Sequence, residues 1–394
     1  MNTAAAAGGA PPVRLFLCGD VMTGRGIDQV LPHPAPPQLF EAWMRSAQGY
    51  VALAERAGGP IARGAAYGYP WGEALPWLER MQPALRIVNL ETAVTLSEDA
   101  QPGKGIHYRM HPANVPCLTA AGTDCCVLAN NHVLDWGREG LRETLASLHA
   151  AGLRTAGAGA DADEAAEPAA LPLAAGGRLL VFAYATADSG VPEDWAASGT
   201  RCGVNFLATA SPQSAQRIAG LVLQRRRPGD LVVVSVHWGG NWGFGIGPQQ
   251  RGFAQALIDA GAADIVHGHS SHHPKGVEVH RDRLVLYGCG DLINDYEGIE
   301  GHESWHPELA VMYFPQLAAA TGELQELLLV PLRRRRLRLE PAAAGEASWL
   351  AQMLEREGRA LGTHAEAAGE DLVRVAWARR APAAAGRQAG RRAG

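Results

Sequence analysis

Residues 231–237 read Leu-Val-Val-Val-Ser-Val-His, the most apolar strand-like run in the chain, and it ends on a histidine. A β-branched run without polar alternation fits a buried strand of the kind found in parallel sheets. The pattern recurs. Val13–Cys18 runs into Gly19-Asp20, Ile87-Val88 into Asn89, Leu90 and Glu91, and Cys125–Ala129 into Asn130, Asn131, His132 and Asp135. Residues 179–186 and the short run Asp264–Val266 supply two more strands. Between them, residues 138–152, 211–229 and 248–261 carry apolar positions at helical spacing and stop at Gly or Pro, so the chain alternates strand and helix. That alternation predicts an α/β fold, and such sheets place their ligands beyond the C-terminal ends of the strands.

At 394 residues and 47% hydrophobic the chain can bury a large core. Residues 1–12 form an Ala, Gly and Pro-rich tail expected to be disordered, and 13–340 form the main domain. Within it, 28–80 is an insertion whose helical pieces are Gln38–Met44 and Pro70–Met81, and 157–177 is a loop. A further strand in 282–298 carries Asp291, Asn294 and Asp295 at its tip. Residues 309–315 and 323–339 make a closing antiparallel pair. A C-terminal helical extension follows over 341–380, with a surface helix at 346–361, and 381–394 is a mobile basic tail. A net charge of -5 gives no case for nucleic acid or an anionic membrane. Six cysteines without a CxxC spacing read as reduced, buried thiols. With no signal-type N-terminus and no apolar stretch of membrane-spanning length, the expectation is a cytoplasmic protein without an integral membrane segment.

Four histidines, 267, 269, 272 and 273, crowd the end of the Asp264–Val266 run. Taken together, the strand tips offer Asp20, Glu91, Asn131, His132, His237, His269 and His272. This mixed nitrogen and oxygen set suits Mn, Zn or Fe and exceeds what one tetrahedral ion needs. It predicts two divalent transition metal ions that activate a shared water and clamp the oxygens of an in-line displacement. Arg25 and Arg109 are candidates to hold an anionic substrate, small molecule or peptide, bidentately.

In order and spacing, the stretches 19–25 (Gly-Asp-Val-Met-Thr-Gly-Arg), 89–92 (Asn-Leu-Glu-Thr), 128–137, 237–242, 268–279 and 287–296 resemble the CapA family of poly-γ-glutamate capsule biosynthesis proteins, which is similar to the calcineurin-like metallophosphoesterases. The resemblance covers residues 13 to 335. It implies a four-layer αββα sandwich and a metal-dependent hydrolase acting on a phosphate ester or anhydride. By the same resemblance, Asp20 binds the first metal with His272, Glu91 bridges, and Asn131, His237 and His269 bind the second. His132 is then the general acid, with Asp135 orienting it. Two departures accompany the match: Met22 stands where phosphoesterases carry a ligand histidine, and Asn241 where the CapA pattern has Glu. His273 rivals His272. Two other functions stay open, amide chemistry on γ-glutamyl peptides and a non-catalytic metal-binding part of a polymer-synthesis complex.

Overall fold

The structure, a computed structural model, describes residues 11–379 apart from 175, 299, 300 and 370. The expected tails therefore lie outside the described residues, except for residues 11 and 12. Every residue of the strand Leu231–His237 is buried, and alternate side chains serve different layers. Leu231 and Val233 join Val181, Ala183 and Ile265 in a core shared with a second sheet. Val232, Val234 and Val236 instead pack with Ile218, Val222, Phe253 and Leu257 of the helices Pro212–Arg225 and Pro248–Asp259. A strand with a period of two and no polar face is what this double coverage requires.

The smaller sheet runs Arg178–Thr186, Leu231–His237, Ile265–His269 and Arg283–Leu286 in parallel, with Val277–His280 antiparallel at one side. The larger sheet has Val13–Val21 near its centre. Leu85–Leu90, Cys125–Val127 and Arg154–Ala156 follow in parallel on one flank. Leu309–Leu317 and Leu324–Arg335 follow antiparallel on the other. Helices Ala74–Met81 and Gly137–Ala150 add Leu78, Met81, Leu141, Leu145 and Leu148 to the core of this sheet. The layers are helix, sheet, sheet and helix, the expected four-layer αββα sandwich. All six cysteines are buried free thiols. Among the described residues no helix is long and apolar enough to cross a membrane.

Three local expectations are corrected. Gln38–Met44 is a turn closed by the bond from Leu39 N–H to the Arg45 carbonyl (3.0 Å), and the helix forms at Gln48–Gly58, where Tyr50, Val51 and Ala54 share a buried face. The loop expected over 157–177 contains the helix Ala162–Ala166 and the strand Ala169–Pro172, which pairs antiparallel with Arg178–Thr186. The C-terminal extension is not wholly helical. Its helix, Ala344–Gly358, is followed by the hairpin Thr363–Ala367 and Val373–Trp377, which extends the larger sheet through Leu329 and Val373. Val373 and Val375 are buried while Arg374 is exposed, the alternation of a half-covered strand.

Candidate metal centre

Strand register assembles the site. Asp20 lies opposite Asn89 on one neighbour and Asp291 on the other, and His237 lies opposite His269. Gly19 permits the approach of the Asp291 strand, since a Cβ there would sit 1.7 Å from the Gly290 carbonyl oxygen. That carbonyl accepts the Asp20 N–H at 3.1 Å.

Two groups of ligand-competent atoms result, each lying within 4.8 Å of one another: Asp20 with His237 and His269, and Asp20 with His272 and Asp291. Asn131 Oδ1, 3.2 Å from His237 Nε2, and Glu91, 3.9 Å from the same nitrogen, border the first group. Asp20, rather than Glu91, is thus the carboxylate common to both groups. Asp291, in the second group, has its Oδ1 3.0 Å from His272 Nδ1.

A proton chain fixes how His269 faces the site. The Cys18 carbonyl can only accept, so His267 donates to it from Nε2 (2.8 Å). Burial pushes His267 down to about 4, so it is neutral and its Nδ1 accepts from Ser235 Oγ (3.0 Å). Ser235 Oγ then accepts from His269 Nε2 (2.9 Å), leaving the His269 Nδ1 lone pair directed at His237 Nδ1 (2.8 Å). His267 is therefore a core histidine that bonds across to the other sheet at Cys18 and orients His269 through Ser235.

The electrostatics call for a cation. Burial, and then the neighbouring Asp291, hold Asp20 up to about 7, while burial, Asp20 and Asp291 raise Glu91. Burial depresses His237 and His269. Asp20 Oδ1 accepts from Asn89 (2.7 Å), yet its buried Oδ2 has no hydrogen-bond partner among the described residues. Burial alone would lower His272, but Asp291 outweighs it and raises that imidazole. Two acids that resist ionising, the neutral imidazoles of His237 and His269 and an orphaned carboxylate oxygen fit a divalent ion of the Mn, Zn or Fe type.

His132 stands at the edge of this centre, in a cleft of about 410 Å³ that Lys104, Tyr108, Asn241 and Tyr296 also line. Its ring stacks on Tyr108 with centroids 3.9 Å apart. Its Nδ1 donates to Asp135 Oδ2 (2.7 Å), which also accepts the Tyr108 N–H (2.7 Å), and Nε2 is left 3.9 Å from Glu91. Lys104 Nζ donates to Asp135 Oδ1 and to the Asn131 carbonyl and sits 3.3 Å from His132 Nδ1. Burial pushes His132 down to about 4. Burial alone would raise Asp135, but His132 and Lys104 outweigh it and hold that carboxyl low.

The structure places both predicted substrate arginines against partners within the chain. Arg25 is buried and committed to Asp295 (2.9 Å from Nε to Oδ2) and Glu41 (2.8 Å). Arg109 donates to the carbonyls of Ser97 (2.8 Å) and Pro36 (3.0 Å), with its guanidinium 3.8 Å from the Trp136 ring centre. His273 is spent as well: it accepts the Gly243 N–H (3.0 Å) and donates to the Pro274 carbonyl (2.9 Å), which leaves His272 at the centre. The cation in the cleft is Lys104, whose only mark in the sequence is its place between Gly103 and Gly105.

The fold is a two-sheet α/β sandwich that carries acids, an amide and imidazoles on its strand tips. The family described as bacterial capsule synthesis protein PGA_cap matches residues 14–296, and the chain belongs to that family. A Mycobacterium tuberculosis protein named probable polyglutamine synthesis accessory protein is 45% identical over 370 residues, spanning 94% of this chain and 97% of its own. The PGA biosynthesis protein CapA of Bacillus subtilis is 28% identical over 208 residues, 52% of each chain. In structure the chain is similar to a novel phosphatase of Mycoplasma pneumoniae, with a TM-score of 0.44 and 10% identity over 84% of this chain and 95% of that one. The resemblance to the CapA family drawn from the sequence motifs is borne out.

Proposed function

We propose that the chain is a metal-dependent hydrolase of phosphate esters or anhydrides. Asp20, Asn131, His237 and His269, with Glu91 beside them, would hold one divalent transition metal ion, and Asp20, His272 and Asp291 a second. Bound there, the ions would supply Lewis-acid activation of water and neutralise charge on the phosphoryl oxygens. The observation that carries the reading is that both groups share the buried Asp20, whose Oδ2 has no hydrogen-bond partner among the described residues.

The chain's own residues do the rest. Lys104 presents an ammonium to an entering anion. That anion, arriving near His132 Nε2, favours the imidazolium, so substrate binding raises a pKa that burial otherwise keeps low. Asp135 and Tyr108 hold the ring so that Nε2 faces the cleft and gives its proton to the leaving oxygen.

In the Mn-loaded protein, His132→Gln should lose 10²- to 10⁴-fold of turnover on p-nitrophenyl phosphate or bis-p-nitrophenyl phosphate while its metal content stays. Equal turnover in the variant contradicts the role of His132. The accessory name of the mycobacterial relative supports a second reading, in which the chain keeps its ions within a polymer-synthesis complex or acts on γ-glutamyl amides. A metal-loaded protein that leaves both phosphoesters intact but changes the length of γ-glutamyl oligomers would favour it.

A further inference from the structure

Beside the metal cleft lies a second chamber of about 450 Å³. The two share Trp43, Ile106, Asn241, His272 and Tyr296, so the chamber is continuous with the reacting centre. Its volume falls in the range of small-molecule sites.

At the junction stands Trp43, 67% exposed. A large apolar side chain this open usually swings freely, but this one is tethered. Its Nε1–H donates to Tyr50 Oη at 3.1 Å, Tyr50 donates to Glu41, and Glu41 pairs with the buried Arg25 at 2.8 Å. Arg25 in turn grips Asp295, the residue before Tyr296. One buried cation thus fixes both walls of the chamber mouth, and leaves the indole face open and oriented.

The charges along the chamber speak against an anionic occupant. Arg25 is committed as described, Arg333 pairs with Glu346 at 3.1 Å, and Arg334 donates to the carbonyls of Asp291 and Pro307. Glu297, Glu303 and Glu308 line the same space. A polyanionic chain laid here would meet three carboxylates, and of the lining guanidinium groups Arg25, Arg333 and Arg334 are already engaged. A planar, uncharged ring would meet aromatic faces.

We propose, resting on the hydrolase reading above, that this chamber binds the non-reacting arm of the substrate. That arm is a planar, uncharged ring system carried on the phosphoester, and Trp43 is its stacking platform. The site then selects phosphoesters by a ring held beside the phosphoryl group, and its specificity lies in the Arg25-anchored walls rather than in the metal ligands.

Isothermal titration of the Mn-loaded, full-length protein with methylphosphonate and phenylphosphonate tests this. Phenylphosphonate should bind at least about tenfold more tightly than methylphosphonate, since a stacked ring adds to its buried area. In Trp43→Ala the ratio should fall below about threefold, and Trp43→Phe should restore most of it. Because Trp43 is exposed, both variants should retain the far-ultraviolet circular dichroism of the parent. Both phosphonates binding with equal affinity overturns the ring-binding arm and leaves the metal-centre reading standing, whereas no binding of either overturns both. A preference for phenylphosphonate that survives in Trp43→Ala, or tighter binding of tri-γ-glutamate that is indifferent to Trp43, also overturns the proposal.

Discussion

Replacing Lys104 with Met removes the ammonium that touches the His132–Asp135 pair. A unit charge 3.3 Å from His132 Nδ1 opposes an imidazolium by about 5 kcal/mol at an effective dielectric of about 20. The Lys104 side chain is 21% exposed, so solvent screens part of this, and roughly half is the working figure. At about 1.4 kcal/mol per pH unit, that is a rise of about two units. His132, which burial pushes down to about 4 in the parent, should therefore titrate near about 6 in Lys104→Met. Asp135 stays ionised through the Tyr108 N–H and the His132 ring. The assay is a nuclear magnetic resonance titration of the histidine Cε1–H signals in metal-free protein, with the His132 signal identified by its loss in His132→Gln. A His132 signal that titrates at the same pH in parent and variant, or lower in the variant, refutes the electrostatic account of the pair. If His132 donates the proton in turnover, the falling high-pH limb of the rate profile should move up by the same interval.

Other perturbations have equally definite outcomes. Arg25→Met strands two buried carboxylates, Glu41 and Asp295, and should cost about 3–5 kcal/mol in urea unfolding; a loss below about 1 kcal/mol would contradict the ion network. Ser235→Ala breaks the relay from the Cys18 carbonyl to His269, so Mn affinity by calorimetry should weaken about 10- to 100-fold, and unchanged affinity would show that the tautomer is set elsewhere. Metal binding must also displace a proton from Asp20, held up to about 7 by burial and by Asp291. Affinity should therefore rise roughly tenfold per pH unit up to about 7 and level off above it, whereas a flat profile from pH 5 to 8 would place the ion away from Asp20.

Much of this was legible in the sequence because apolar runs that end in polar tips encode both the sheet and its functional edge. Asp20, His237 and His269 each end a run that is buried apart from Arg14, so position along the strand alone brings them to one rim. The partners of the arginines were not legible, for a physical reason. An arginine near a site motif looks the same in sequence whether it meets a substrate or a buried carboxylate, and the partners of Arg25 at 41 and 295 are remote in the chain. Choosing between His272 and His273 needed the Gly243 N–H, supplied by another loop. Asp291 did leave a trace, since Cys-Gly-Asp occurs at both 18–20 and 289–291 and the two aspartates pair across parallel strands. The C-terminal hairpin was hidden by its length, as Val373 and Val375 are too few to outweigh an Ala and Glu-rich context that favours helix.

The central claim is that Asp20 is shared by two metal sites. Metal content per chain, measured by plasma mass spectrometry after chelation, reloading with Mn and desalting, addresses it most directly. The account predicts two ions in the parent, one in Asp291→Ala and none retained in Asp20→Asn, each with intact secondary structure. A folded parent that holds no ion, or an Asp291→Ala variant that keeps both, contradicts it.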